Sequence, residues 1–291
     1  MGEINPTTDR HILTHDAYAT DKHLMVRMRT HELYSRPKID YPRWVVDTVS
    51  WPGDAWVLDV GAGPGTYSDL VRERIPDGLY IAGDLSWGMA QQAGGRGAPA
   101  LSLDVQHLPF ANATFDMVLA NHMLYHVPDI TQALAELRRV LKPAGVLVAA
   151  TNSAATMPEL DTLARRACTL LGYPHQEFVL THRSFTLENG PAQTARFFRA
   201  VARYDLPSAF HFPDVEPVLD YLNSMQAIQE AQLPPGVSWD EFMSVMEKQI
   251  IRLIRHYGEL QVQKLAGVIV ATNGGGFASR YLRNLNGRTG H

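Results

Sequence analysis

Three glycines at alternate positions, Gly61, Gly63 and Gly65, form the stretch of this sequence best suited to holding a ligand. They directly follow the apolar run Val57–Val60, which is interrupted only by Asp59. Glycines allow the backbone to bend sharply, and they let a ligand approach it closely because no side chain intervenes. The pattern therefore predicts a strand that ends in a ligand-binding turn.

Two common nucleotide-binding turns do not match this pattern. A P-loop requires Lys and then Ser or Thr after its last glycine, whereas Thr66 and Tyr67 follow here. A dinucleotide-binding turn has the spacing G-x-G-x-x-G, and Thr66 stands where its last glycine would be. The sequence thus argues against a nucleoside triphosphate and weakens the case for NAD.

The turn must be positioned by a sheet, and the surrounding pattern predicts one. Apolar strands are predicted at 55–61, 79–86, 98–105 and 144–152, a strand that runs into a loop at 115–124, and helices at 65–75, 87–93 and 130–142. Strands that alternate with helices predict an α/β domain with a parallel sheet covered on both faces. In such sheets ligands bind beyond the carboxyl ends of the strands, which is where the glycine turn lies.

The rest of the chain is predicted to be mostly helical. Helices are expected at 17–34, 41–50, 158–172, 214–231 and 239–258, with a short strand at 199–207 and a last strand at 261–273. This pattern predicts four regions: an N-terminal helical lid (1–40), the ligand-binding core (41–152), a mostly helical cap that contains one core strand (153–260), and the last strand with a loose tail (261–291).

Four segments, in order, resemble the motifs of class I S-adenosylmethionine-dependent methyltransferases. LDVGAGPG (58–65) resembles their first motif, and YIAGDLSWGMA (80–90) resembles the second. Residues 103–129 resemble the third and fourth motifs of the small-molecule branch that includes ubiquinone- and menaquinone-pathway enzymes. ALAELRRVLKPAGVL (133–147) resembles the segment after strand four. The resemblance implies a Rossmann-like, doubly wound sheet of seven strands in the order 3-2-1-4-5-7-6, with an antiparallel last strand.

The same resemblance implies a seat for S-adenosyl-L-methionine. Asp59 would reach the ammonium of the cofactor, Asp84 would accept both ribose hydroxyls, and Asp104 would accept from the adenine amino group. A carboxylate suits two hydroxyl donors because it offers two acceptor oxygens. Further cofactor contacts are expected at Gly61, Ala62, Gly63, Gly65, Leu85, Met89, Val105, Gln106, Ala120 and Asn121, and from Arg29 or Tyr18 of the lid to the cofactor carboxylate.

Candidate catalytic residues follow the fourth core strand. His126 could take a proton from the acceptor because histidine titrates near neutrality, and Tyr125 and His122 are further candidates. The alternative is that His126 hydrogen-bonds its own loop. His122 and His126 are four residues apart, but Pro128 leaves room for one helical turn at most and no third ligand is evident, so we expect no metal site.

Composition restricts the partners. The 291 residues carry a net charge of −4, which does not favour nucleic acid or an anionic membrane, and the single cysteine excludes a disulfide framework. No apolar run reaches membrane-spanning length, so a cytoplasmic location is expected. The favoured function is methylation of a small organic acceptor on oxygen, nitrogen or carbon, with Tyr221 and Met225 of the cap as candidate acceptor contacts. Methylation of RNA or protein, and cofactor binding without catalysis, remain alternatives; the sequence does not indicate an oligomeric state.

Overall fold

The computed structural model of the protein describes residues 8–14, 22–95, 97–180 and 183–274. The chain divides into two compact units, each made of three segments. Unit 1 comprises Met1–Asp40, Asn152–Arg183 and Leu206–Ala266. Unit 2 comprises Tyr41–Thr151, Ser184–Asp205 and Gly267–His291. Within the described ranges, none of the helices combines the length and apolar character needed to cross a bilayer.

Eleven α-helices occur in the described ranges. In chain order they are α1 (Arg10–Ile12), α2 (Lys22–Tyr34), α3 (Tyr41–Val46), α4 (Ser68–Arg72), α5 (Trp87–Gly94), α6 (Ile130–Val140), α7 (Pro158–Leu170), α8 (Gly190–Thr194), α9 (Glu216–Asn223), α10 (Gln226–Gln229) and α11 (Trp239–Tyr257). In addition, single 3₁₀ turns occur at Leu124–His126 and at Glu230–Gln232.

Eight strands form one sheet in the described part of the chain. They are β1 (Ser35–Arg36), β2 (Trp56–Val60), β3 (Leu79–Asp84), β4 (Ala100–Ser102), β5 (Phe115–Leu119), β6 (Leu141–Asn152), β7 (Ala200–Phe212) and β8 (Leu260–Thr272). Their order is β1-β7-β8-β6-β5-β2-β3-β4, and the pairs β5–β6, β2–β5, β2–β3 and β3–β4 are parallel.

The observed order confirms the predicted one with a single addition. When β2–β8 are numbered 1 to 7 in chain order, the sheet read from β4 to β7 has the predicted order 3-2-1-4-5-7-6. The eighth strand, β1, was not predicted, so the count of seven is wrong by one. It consists of Ser35 and Arg36, which pair antiparallel with Phe210 and Ala209 of β7. Two polar residues carry no strand pattern, so their pairing depends on a contact far along the chain.

Local sequence explains where the core helices of unit 2 begin and what they bury. Asp129 precedes α6, and its carboxylate accepts a hydrogen bond from the backbone N–H of Gln132 at 2.9 Å. Such N-caps are worth about 1 kcal/mol. Leu134 and Leu137 then recur at helical spacing and are fully buried against the sheet core. This helix confirms the periodic segment predicted at 130–142.

Unit 1 has its own apolar core, built mainly from α7, α9, α11, the second half of β7 and the first residues of β8. Ser238 and Glu241 form a reciprocal capping box at the start of α11, and Gly258 ends that helix in the left-handed conformation. Helix α2 belongs to the same unit, and Arg27 Nη1 donates to the carbonyl of Ser224 at 2.7 Å. Helix α2 is therefore an integral part of unit 1.

Other predicted elements differ in extent. The helix expected at 214–231 is divided into α9, α10 and a 3₁₀ turn, because Ser224 ends α9 and its hydroxyl donates to the carbonyl of Tyr221. The strand expected at 199–207 continues to residue 212, and the strand at 98–105 is reduced to three residues. Residues 17–21 of the first predicted helix and the tail from 275 lie outside the described residues.

Candidate functional site

The glycine turn follows β2 in unit 2 and has the conformation that its composition predicts. Gly61, Gly63 and Gly65 have φ values of 67°, 54° and 80°, which residues with a Cβ adopt rarely. A Cβ placed on Gly61 would also lie 2.7 Å from the Cβ of Met123. Both the backbone conformation and the close packing therefore require glycine at position 61.

Asp84, the last residue of β3, holds this turn in place. Its Oδ2 accepts from the backbone N–H of Gly63 at 2.9 Å, and its Oδ1 accepts from the N–H of Ser86 at 2.8 Å. Burial raises the pKa of Asp84, and these backbone hydrogen bonds counteract part of the rise. The carboxylate thus links the end of β3 to the middle of the glycine turn, and the backbone N–H of Leu85 adds a further hydrogen bond to it.

Asp59 lies in β2 and is only 1% exposed. Its Oδ2 accepts from the hydroxyl of Tyr80 at 2.7 Å, whereas its Oδ1 is buried without a hydrogen-bond partner among the described residues. Burial raises the pKa of Asp59 to about 7, although the Tyr80 hydrogen bond opposes that rise. An unpartnered buried carboxylate oxygen is costly, and it is suited to accepting from a bound donor.

The third carboxylate, Asp104, follows β4 by two residues. Its Oδ1 accepts from the backbone N–H of Gln106 at 3.0 Å, so it stabilises the turn that carries Val105 and Gln106. Val105 is buried in the core, and the Gln106 side-chain carbonyl accepts from the N–H of Asp129 at 2.9 Å. The segment 104–106 is therefore rigidly connected to the start of α6.

Two other predicted contacts lie beside β3. Leu85 is half-buried and its carbonyl accepts from the Ser102 hydroxyl, while Met89 on α5 is almost completely buried. The backbone N–H of Met89 donates to the hydroxyl of Ser86, the N-cap of α5. Leu85 thus precedes the short helix α5, which begins after Asp84, and Met89 lies in its first turn.

Ala120 and Asn121 follow β5, the strand next to β2. The N–H of Ala120 donates to the carbonyl of Val148 on β6, and Asn121 Oδ1 accepts from the N–H of Ala150 at 3.1 Å. The side-chain nitrogen of Asn121 is buried and makes no hydrogen bond within the described ranges. Because β5, β2, β3 and β4 are parallel neighbours, their carboxyl ends bring the glycine turn, the carboxylates and Asn121 to one edge of the sheet.

His122 is held by a residue that the sequence did not single out. Its Nε2 lies 2.9 Å from the hydroxyl of Tyr41, the first residue of α3. His122 has a φ of 54°, an uncommon value for a non-glycine residue. Burial lowers the pKa of His122 to about 4, so the imidazole is neutral at physiological pH. Tyr41 was missed because a contact between residues 81 positions apart leaves no trace in local sequence.

Tyr125 and His126 lie on the 3₁₀ turn after His122, and both are half-buried. Their rings meet edge to face with centroids 4.6 Å apart, and the carbonyl of Tyr125 accepts from the hydroxyl of Ser184 at 3.0 Å. The backbone N–H of His126 donates to the carbonyl of Met123. The turn is therefore fixed by its own backbone, and His126 stays a prediction as the base.

The remaining candidates do not belong to unit 2. Arg29 is an exposed residue of α2 in unit 1, and Tyr18 lies outside the described residues. Tyr221 is buried in the core of unit 1, where Met225 packs against the same core. Their proposed contacts with cofactor or acceptor stay predictions.

Comparisons with known proteins agree with this architecture. The methyltransferase domain family matches residues 58–149. A malonyl-[acyl-carrier protein] O-methyltransferase from Geobacter sulfurreducens is 33% identical over 202 residues, covering 66% of this chain and 74% of that protein. A demethylmenaquinone methyltransferase from Thermobifida fusca is 40% identical over 114 residues, covering 37% of this chain and about half (48%) of that protein.

The fold is also shared with solved structures. A SAM-dependent methyltransferase from Thermotoga maritima aligns with a TM-score of 0.51 at 16% identity, covering 91% of this chain and 99% of that one. The glycine turn, the acidic strand ends and the sheet order define a Rossmann-like methyltransferase fold. The chain belongs to the class I S-adenosylmethionine-dependent methyltransferases.

Proposed function

We propose that unit 2 binds S-adenosyl-L-methionine at the carboxyl edge of β2, β3, β4 and β5, and that the chain transfers its methyl group to a small organic acceptor. The observation that carries this proposal is the link between Asp84 and the glycine turn. Asp84 accepts from Gly63 N and Ser86 N, and the backbone N–H of Leu85 also contributes to its hydrogen bonding. A carboxylate has about four acceptor positions, so Asp84 keeps acceptor capacity for the ribose hydroxyls.

The polar atoms left over at this edge fit the rest of the cofactor. Asp59 Oδ1 is a buried acceptor, and Asn121 Nδ2 is a buried donor, and neither is satisfied within the described part of the chain. An ammonium and a carboxylate are the complementary groups, and the methionine part of the cofactor carries both. Asp104 and Gln106 supply a fixed turn beside β4, which suits an adenine amino group and ring.

The bound cofactor supplies an electrophilic methyl group, so the protein has to orient the acceptor and exclude water. His126 is proposed as the base where the acceptor carries a proton on the atom to be methylated. His122 is less suited to that role, because its pKa is near 4 and the Tyr41 hydroxyl already faces its Nε2. His122 is instead proposed to shape the loop beside the glycine turn.

A small acceptor is proposed rather than a nucleic acid. The net charge of −4 does not favour a phosphate-rich substrate. The two relatives described above are named for malonyl-[acyl-carrier protein] and for demethylmenaquinone. These names suggest an oxygen or carbon nucleophile on a small organic group. The lid, the cap and the cytoplasmic location expected from the sequence stay predictions.

The test has two stages. Calorimetry with S-adenosylhomocysteine should show one binding site, and absence of binding would overturn the proposal. Methyl transfer from radiolabelled S-adenosylmethionine is then measured with a malonylated carrier protein, a reduced demethylated quinone, bulk tRNA and bulk protein. Turnover with one of the first two supports the proposal, and turnover only with tRNA or protein contradicts it. Binding without any turnover would favour the non-catalytic alternative.

A further inference from the structure

Unit 1 contains a lysine in an unusual setting. Lys264 lies in β8, and its Nζ is 2.6 Å from the Ser35 hydroxyl oxygen and 3.1 Å from His31 Nδ1. The same nitrogen is 3.8 Å from the centroid of the Phe210 ring. Strands β1, β7 and β8 and helix α2 therefore all contribute to the surroundings of one amine.

In the part of the chain that the structure describes, this amine has no acidic partner. Within the described ranges, no carboxylate lies within the 4.0 Å ion-pair distance of Lys264 Nζ. Burial lowers the pKa of Lys264 to about 7, because desolvation disfavours the charged form. A methionine would pack against Phe210 without this penalty, so packing alone gives no reason for a lysine.

The neighbouring hydroxyl offers a hydrogen-bond donor. The Ser35 oxygen accepts from Lys264, and its own hydrogen has no acceptor among the described residues. His31 is exposed, so this side of the cluster is accessible to solvent. Beneath it, the rings of Phe210 and Tyr221 are buried, with centroids 5.4 Å apart. A cation and a hydroxyl donor thus lie at the accessible rim of an aromatic core.

We propose that Lys264 and Ser35, flanked by His31, bind the carboxylate of a small organic acid. Ser35 donates its hydroxyl hydrogen to the anion, and Lys264 supplies the positive charge that the anion requires. A monocarboxylate fits one lysine, whereas phosphate sites generally combine several donors with more positive charge.

The site is tested by binding in the absence of methyl donor. Acetate and phenylacetate are titrated into protein carrying ¹³C-labelled lysine, and binding is followed by NMR. Both should shift the Lys264 signal, whereas the neutral isostere phenylacetamide should not. Lys264→Met should weaken phenylacetate binding by about tenfold or more, the effect of losing a hydrogen bond to a charged group.

Matched variants separate this site from a general charge effect. Lys248→Met removes an exposed lysine of α11 and should leave phenylacetate affinity unchanged. Ser35→Ala should weaken binding, and Lys264→Arg should restore part of it. Lys264→Met should unfold at the same temperature as the wild type or a higher one, because an uncompensated amine has been removed.

Each other outcome contradicts the proposal. If neither carboxylate binds, or if Lys264→Met binds phenylacetate as well as the wild type, there is no carboxylate site at Lys264. Tighter binding of inorganic phosphate than of acetate would assign the site to phosphate. Because no methyl donor is present, failure of S-adenosylhomocysteine to bind would overturn the proposed function without altering these results.

Discussion

Substitution of Asp84 by asparagine should weaken binding of the adenosine part of the cofactor. The carboxylate has about four acceptor positions, and the N–H groups of Gly63 and Ser86 occupy two of them. An asparagine side chain has a single acceptor oxygen with two acceptor positions. Its NH₂ group would face one of the two backbone N–H groups, from which it cannot accept a hydrogen bond. At least one hydroxyl acceptor is therefore lost. A hydrogen bond to a charged group contributes about 1.5–3 kcal/mol, which corresponds to about a 10- to 150-fold higher Kd.

The assay is calorimetry with adenosine and with 2′,3′-dideoxyadenosine. Wild type should bind adenosine more tightly than the dideoxynucleoside, and Asp84→Asn should show a smaller difference between the two, because the variant has lost at least one hydroxyl acceptor. Asp69→Asn is the matched control, since Asp69 is an exposed carboxylate on α4, 4.0 Å from Arg72. Its nucleoside affinities should equal those of the wild type.

The reasoning is refuted if Asp84→Asn loses the same factor in affinity for both nucleosides. Asp84 would then act only by holding the glycine turn through Gly63 N. Thermal unfolding provides a parallel measurement, because loss of that backbone hydrogen bond should cost about 1 kcal/mol whether or not a ligand is present.

Three further predictions concern side chains of unit 2. Because the pKa of Asp59 is raised, the folded state retains a proton that the unfolded state has lost. As the pH rises from about 4 to about 7, the unfolding free energy of the wild type should therefore fall relative to that of Asp59→Asn. If urea denaturation gives the two proteins the same pH dependence of unfolding free energy, this prediction is contradicted. Tyr41→Phe removes the hydroxyl at His122 Nε2 and should cost about 1 kcal/mol of stability with unchanged S-adenosylhomocysteine affinity; unchanged urea midpoints would exclude it. His126→Ala should reduce kcat while cofactor affinity is kept, and His256→Ala, at an exposed histidine of α11, should change neither; full activity of His126→Ala across the pH range would remove His126 as the base.

The sequence predicted the core of the fold well because that part is locally specified. The apolar strands, the glycine turn and the α6 periodicity each arise from residues close together in the chain, and all were recovered. The strand order came from resemblance to a family, since alternation of strands and helices alone does not set it. The two-residue strand at Ser35 and Arg36 was missed because its pairing partner is far away in the chain.

In the candidate site, too, features set by neighbouring residues could be predicted, whereas contacts between distant residues could not. The acids Asp59, Asp84 and Asp104 were proposed from the resemblance to the methyltransferase motifs; each one lies near the carboxyl end of a strand, and their roles stay predictions. Their partners could not all be identified: the Tyr80 hydroxyl that faces Asp59 and the Tyr41 hydroxyl that faces His122 belong to residues with no distinguishing local pattern. Polar pairing across a sheet or between loops depends on tertiary contacts, which single-sequence patterns do not encode.

The assembly of each unit from three segments has a consequence for protein engineering and evolution. The chain passes from one unit to the other five times, at 40/41, 151/152, 183/184, 205/206 and 266/267. No single cut by a protease can release an intact unit, and no uninterrupted gene fragment encodes one. A single continuous segment exchanged between relatives would therefore carry only part of a unit, and transfer of an intact unit would need three segments to be moved together.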